Sequence, residues 1–293
     1  MSTVEAILLA VLQGIAHFFP ISSSGHVMMG ERFFGIPEPN LLFNVTIHIG
    51  TLVAVMLFYR KDVISAVTGV REAVARGIAE RSLRSASQTE GARLVMLLVL
   101  ASLPTALLGL VLYPHISSGG GEGVELLTVI LVLLVVNGFI LLTAKFVDDS
   151  RMTPRTEGWA LWNISPMVAV GIGTAQGLAL LPGFSSSGLT IVAALWLGVG
   201  RAESARFSFL LSIPAVAGAM LLESYMNFDS ELMGTGVEAS EVGLYSGCAV
   251  LAGIIGYFSI WVLVKLLQKA KFWHFSWYCW IFGGGGLLAM WML

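Results

Sequence analysis

The sequence predicts an all-α polytopic membrane protein, an inverted-topology repeat of six spanning helices plus two opposed re-entrant helical hairpins. Composition is the first observation behind this. Of 293 residues, 56% are hydrophobic and 12% charged, with a mean hydropathy of +0.85, whereas a soluble domain carries about 25% charged residues. The second observation is a duplication. QGIAHFFPISSSGHVM at 13–28 recurs without a gap as QGLALLPGFSSSGLTI at 176–191, with seven of sixteen positions identical. The third is the placement of lysine and arginine along the chain.

The first element, 4–35, is apolar but split by Ser22-Ser23-Ser24-Gly25 into pieces too short to span singly, since a span needs about 20 residues. A hairpin that enters and returns is the reading. The N-terminus lacks a basic region and a small-x-small cleavage site, so it is read as structure and not as a signal peptide. Continuous apolar runs near 42–60, 93–113 and 124–146 give three spans. The stretch 159–200 repeats the split pattern around Ser185-Ser186-Ser187-Gly188, and runs near 207–226, 242–265 and 275–293 give three more spans. The likeness extends past the core motif: FNVTIHIGTLVAVML at 43–57 parallels FSFLLSIPAVAGAML at 207–221. The chain is thus one membrane domain, 1–293, with repeat 1 over about 1–147 and repeat 2 over about 159–293.

Basic residues gather in the segments 60–93, 145–155 and 265–271, while 114–123 and 227–241 contain none. The positive-inside rule places the first set in the cytoplasm as loops and the second outside. Threading works only if each split element returns to its side of entry. The halves are then inverted, and both termini are extracytoplasmic. Cys248 and Cys279 lie inside apolar segments and are not expected to form a disulfide. Membrane lipid is the expected surroundings, and nucleic acid is not an expected partner.

Polar, irregular backbone at membrane depth is tolerated where protein covers it or where it lines a cavity, and paired interruptions in two halves point to a midplane site. Free N–H groups at a helix start attract anions. Ser22, Ser23 and Ser24 add hydroxyl donors, and Gly25 permits close approach. Ser185, Ser186, Ser187 and Gly188 form the matching set. His26 and His17 supply imidazoles, so a hydroxyl and a base sit near an anion nest, the parts needed for phosphoryl chemistry. Serine and glycine at a helix break also serve close packing, but ionisable groups at membrane depth weigh towards function. Gln13 and Gln176 occupy equivalent positions; Gln13 is a ligand candidate, and Gln176 is read as a helix–helix hydrogen bond. His48 is evenly balanced between lining a pore and packing. Arg201 is read as a topology-setting charge.

QGIAHFFPISSSGHV, LPGFSSSGLTI, RAESARFSFLLSIPAVAGAM and LFYRKD at 57–62 together resemble the undecaprenyl-pyrophosphate phosphatases of the bacitracin-resistance type. The resemblance runs over nearly the whole chain. It implies dephosphorylation of a C55 polyprenyl diphosphate at the outer face of the bacterial plasma membrane, recycling the lipid carrier for cell-wall synthesis. It implies Ser23, Ser24 and His26 as catalytic positions, an association with divalent cations, and it leaves a homodimer open. Two positions depart from the family pattern. His17 stands where a second acidic residue is expected, and Ser186 stands where an arginine holds the diphosphate. A serine cannot replace a bidentate phosphate clamp, whereas His17 offers a substitute base. Two functions follow: a polyprenyl-diphosphate phosphatase, or a phosphatase-inactive carrier of polyprenyl phosphate built from the same opposed hairpins.

Overall fold

The structure, a computed structural model, describes residues 1–36, 40–80, 89–117, 124–147, 161, 164–226 and 239–292. Among these it is helical, with no strand beyond an isolated Pro182–Phe184 bridge.

Both split elements are helical hairpins. The first consists of α1 (Thr3–Ala16) and α2 (Ser23–Phe33), the second of α7 (Pro166–Leu178) and α8 (Ser186–Trp196). The helix starts keep the register of the duplication: Thr3 pairs with Pro166 and Ser23 with Ser186, each 163 residues apart. Between them lie α3 (Leu41–Phe58), α4 (Arg60–Glu80), α5 (Glu90–Ser117) and α6 (Val124–Thr143). Beyond them lie α9 (Arg201–Met226), α10 (Ala239–Gln268) and α11 (Phe275–Met292). Local sequence explains the starts. Ser2 caps α1 in a reciprocal box with Glu5, and Ser165 caps α7 ahead of Pro166 at its first position.

Four helices are long and apolar enough to cross a membrane, in the segments Glu90–Leu112, Glu125–Phe146, Arg201–Leu222 and Glu241–Gln268. These match four of the six expected spans. The expected span 42–60 stops at Phe58, where the chain turns by 85° into α4, and the bent pair would make a fifth. The expected span 275–293 falls on helix α11, of 18 residues, which is not among the helices long and apolar enough to cross a membrane by themselves. One expectation is corrected: the segment from residue 60 is not a loop but helix α4, at least as far as Glu80. Charges reduced its hydropathy, but apolar residues recurring along it stabilise a helix against α5, where Gly69 and Gly91 allow close approach.

Arg206 of α9 fixes the elbow between α3 and α4. Its guanidinium makes a forked pair with the carboxylate of Asp62, Nε donating to Oδ2 at 2.8 Å and Nη2 to Oδ1. Packing then crosses between the halves. The first arm α1 lies against α10, and its counterpart α7 lies against α5; α6 and α11 pair with each other. The apolar core follows the same plan, with Phe18 and Ile21 from the first hairpin and Ile191, Val192 and Leu195 from the second joining Leu134, Leu141 and Phe209.

Candidate functional site

The two interrupted segments meet. Ser22 ends the first break at φ +69°, a conformation that costs a non-glycine residue about 1 kcal/mol or more. Its bonds hold it there. The Ser22 hydroxyl accepts from the N–H of Gly25 at 3.3 Å and from the N–H of Gly183 in the other hairpin at 3.1 Å. Across the junction the Ser187 hydroxyl donates to the carbonyl of Phe19 at 3.5 Å. Gly183, at φ +110°, and Gly188 are required here: a Cβ on Gly183 would meet the Ile130 carbonyl, and one on Gly188 would crowd Pro20.

Asn137 of α6 ties the junction together. It is fully buried. Its Nδ2 donates to the Pro20 carbonyl at 3.0 Å in the first break, and its Oδ1 accepts from the Ser185 N–H at 3.1 Å in the second. Asn137 escaped the sequence reading, though a lone amide inside LLTVILVLLVVNGFILLT was a visible signal.

His26 is held at both ring nitrogens. Nδ1 lies 2.8 Å from the Ser22 carbonyl, and Nε2 lies 2.8 Å from the Tyr278 hydroxyl of α11. A carbonyl only accepts, so Nδ1 carries hydrogen. In the neutral ring Nε2 is then the basic nitrogen, accepting from Tyr278. Tyr278 and Phe282 both lie against the imidazole, at 5.7 and 4.8 Å between centroids. Neither was anticipated, because no short-range pattern links position 26 to position 278.

The serines after the cap differ. Ser23 is half-buried and Ser24 exposed, and neither hydroxyl bonds to a described residue. Positions three apart on a helix share a face and positions two apart do not. Ser23 therefore lies on the side of His26, and Ser24 points elsewhere. In the second hairpin, Ser185 caps α8 through Gly188 N–H at 3.1 Å and also bonds Ser187, while the half-buried Ser186 hydroxyl is unbonded among the described residues.

His17 is placed apart from His26. Its Nδ1 lies 3.3 Å from Gln13 Nε2, and its ring stands edge-on to His48 at 5.6 Å. His48 in turn bonds the Asn44 carbonyl at 2.8 Å, and the Asn44 amide donates to buried Glu31 at 3.2 Å. No hydrogen bond or ring contact joins His17 to His26 among the described residues, so the two imidazoles grouped by sequence belong to separate clusters. Gln13 and its counterpart Gln176 each leave Oε1 buried without a partner. Gln176 makes the expected helix–helix bond, Nε2 donating to the Leu211 carbonyl at 3.5 Å. Cys248 and Cys279 are both free and buried.

These donors do not build an all-protein carboxylate cage for a divalent cation. Hard cations take six or more oxygens, usually with carboxylates. Among the described residues no three His, Cys, Asp or Glu side chains gather to share an ion, and the junction itself offers hydroxyls, carbonyls and an imidazole.

Comparison with known proteins bears on this arrangement. The model of the bacitracin resistance protein BacA family matches residues 6–285. The chain belongs to the BacA family. Its relatives include an undecaprenyl-diphosphatase of Desulfosudis oleivorans, 39% identical over 97% of both chains. Another, from Desulforapulum autotrophicum, is 35% identical over 99% of both, and one from Geobacter sulfurreducens is 36% identical over 99% of this chain and 98% of its own. The two hairpin breaks, the Ser22–His26 contact and the hydroxyl of Ser23 thus lie inside the matched region of a BacA-family membrane protein.

Proposed function

We propose that this BacA-family protein hydrolyses a polyprenyl diphosphate, releasing phosphate and returning the monophosphate carrier to cell-wall synthesis. The observation that carries the reading is the pair formed by His26, oriented through Nδ1, and the unbonded Ser23 hydroxyl on the same helical face. Ser23 Oγ attacks the terminal phosphorus as the Tyr278 hydroxyl gives up its bond to His26 Nε2, and the Ser23 proton passes to that nitrogen. The phosphoanhydride bond breaks and polyprenyl monophosphate leaves with the proton from His26 Nε2, which restores the neutral imidazole. Water then attacks the phosphoserine phosphorus while giving a proton to His26 Nε2; the bond from phosphorus to Ser23 Oγ breaks, and that proton returns to Ser23 Oγ as phosphate is released. The N–H groups of Ser23 and Ser24 at the start of α2 receive the phosphoryl oxygens, as helix N-termini do. Ser186 adds a hydroxyl donor.

The reading includes six crossings, counting α3 and α11, with both hairpins re-entrant, the halves inverted, both termini outside and the first hairpin opening outwards at the plasma membrane. The Lys and Arg distribution supports this, as does the crossed packing of the halves.

One observation favours a second reading. Position 186 offers a hydroxyl where a guanidinium would clamp the diphosphate, and opposed hairpins are parts of alternating access. The protein would then carry polyprenyl phosphate across the membrane without hydrolysis. Purified protein given undecaprenyl diphosphate separates the two. Phosphate release that Ser23→Ala and His26→Ala abolish supports the phosphatase. No release, with protein-dependent flipping of labelled polyprenyl phosphate in liposomes, overturns it in favour of the carrier.

A further inference from the structure

Tyr278 does more than touch His26. It also lines a groove of about 700 Å³ between α2, α6 and α11, within the range of ligand pockets. The groove walls include Met29, Leu131, Ile281, Phe282 and Met290, with Arg32 as the charged residue among them. Methionine side chains adapt to irregular, flexible partners, and an exposed arginine covers apolar surface with its stem.

The floor is informative. α11 carries Gly283 to Gly286 in its middle, although each glycine costs a helix interior about 0.8–1.0 kcal/mol relative to alanine. Gly283 and Gly286 pack tightly against α6, which accounts for them. Gly285 does not: a Cβ there would meet nothing within 4 Å, and Gly285 faces the groove. A bare helix surface inside an apolar trough leaves room for a chain.

We propose that this groove seats the isoprenoid chain of the polyprenyl phosphate, with its phosphate at the α2 start and Tyr278 as the positioning residue between chain and His26. The proposal rests on the lipid-phosphate reading and adds the place of the hydrocarbon. The occupant is argued from continuity. Tyr278 and Phe282, which line the groove, are the same pair of rings that lies against the imidazole, so the groove adjoins the place beside His26 where the phosphate would sit.

The test uses Gly285→Leu, which fills the groove without a clash, and Gly284→Leu, which places the same side chain in open space off the groove. Binding of undecaprenyl monophosphate and of isopentenyl monophosphate is measured on the full chain in nanodiscs. Gly285→Leu is expected to weaken the C55 lipid at least tenfold and leave the C5 compound unchanged, with Gly284→Leu matching wild type for both. A polyprenyl phosphate bearing a photoreactive diazirine in its chain is expected to label Met29 or Met290. Equal C55 affinity in Gly285→Leu and wild type overturns the groove while leaving the lipid-phosphate reading intact, as does labelling confined to the α3–α10 face. Wild-type protein that binds neither phosphate overturns the lipid-phosphate reading and the groove with it. Displacement of the C55 lipid by phosphatidylglycerol at equal concentration assigns the groove to ordinary membrane lipid and also overturns the proposal.

Discussion

Replacing Asn137 by alanine is expected to loosen both hairpins at once. The side chain is fully buried, and its removal orphans two backbone groups: the Pro20 carbonyl, bonded at 3.0 Å, and the Ser185 N–H, bonded at 3.1 Å. A buried polar group left unsatisfied costs about 1–3 kcal/mol, so two give roughly 2–6 kcal/mol. Two effects lower that figure. Cys279 Sγ lies 3.7 Å from the Pro20 carbonyl and can take part of the lost bond. Side-chain hydrogen bonds measured inside membranes average only about 0.6 kcal/mol, with a maximum near 1.7. The expected destabilisation is therefore about 1–3 kcal/mol. Reversible unfolding in mixed detergent micelles, followed by tryptophan fluorescence, measures it. Asn137→Ala loses both bonds to the two breaks, so phosphate release should suffer even where enough folded protein remains. A loss below about 1 kcal/mol for Asn137→Ala would refute the claim that this amide fastens the two breaks together.

Other perturbations separate the roles of neighbouring residues. Ser23→Ala should lower phosphate release by about 10² or more while Ser24→Ala changes it several-fold at most, read as initial rates; equal losses would deny that Ser23 alone shares the face of His26. Tyr278→Phe keeps the ring stack and removes the bond to Nε2, so kcat should fall about tenfold with KM little changed, whereas Tyr278→Ala should raise KM as well. Gly50→Ala drives a Cβ into the Ala249 carbonyl of α10 and should cost about 1–3 kcal/mol, measured by the same unfolding assay. Ser186→Arg should raise phosphate release by about 10-fold or more by restoring a bidentate clamp; no gain would show that the site does not place the diphosphate at that position.

The helical hairpins were legible because their breaks are written in residues that interrupt apolar sequence, and both second arms begin at the expected serines, Ser23 and Ser186. Helix α4 was misread as a loop for the converse reason. Its charges, including Arg60, Lys61 and Arg71, dilute the hydropathy on which spans are recognised, while its helical face depends on packing against α5. The site was half legible. Local sequence carried Ser22, Ser23 and His26, which lie within one turn, with His26 bonded to Ser22. It could not carry Tyr278 or Asn137, whose contacts bridge 252 and 117 positions of chain, nor the separation of His17 from His26, which depends on which neighbouring helix each arm faces.

The two Ser-Ser-Ser-Gly blocks, alike as strings, are unlike as parts. In the first, Ser22 is strained at φ +69° and spends its hydroxyl on Gly25 and on Gly183 across the junction, so the following hydroxyls of Ser23 and Ser24 are left unbonded. In the second, Ser185 is unstrained at φ −98°, its hydroxyl stays within its own block, and Ser187 reaches back to Phe19. Strain and free donors thus concentrate in the copy that carries His26, while the other copy supplies the bonds that hold it. Stored strain persists only where surrounding structure over-determines it. The second hairpin and Asn137 provide that surrounding structure, which explains why a repeat with one chemically equipped copy still needs both.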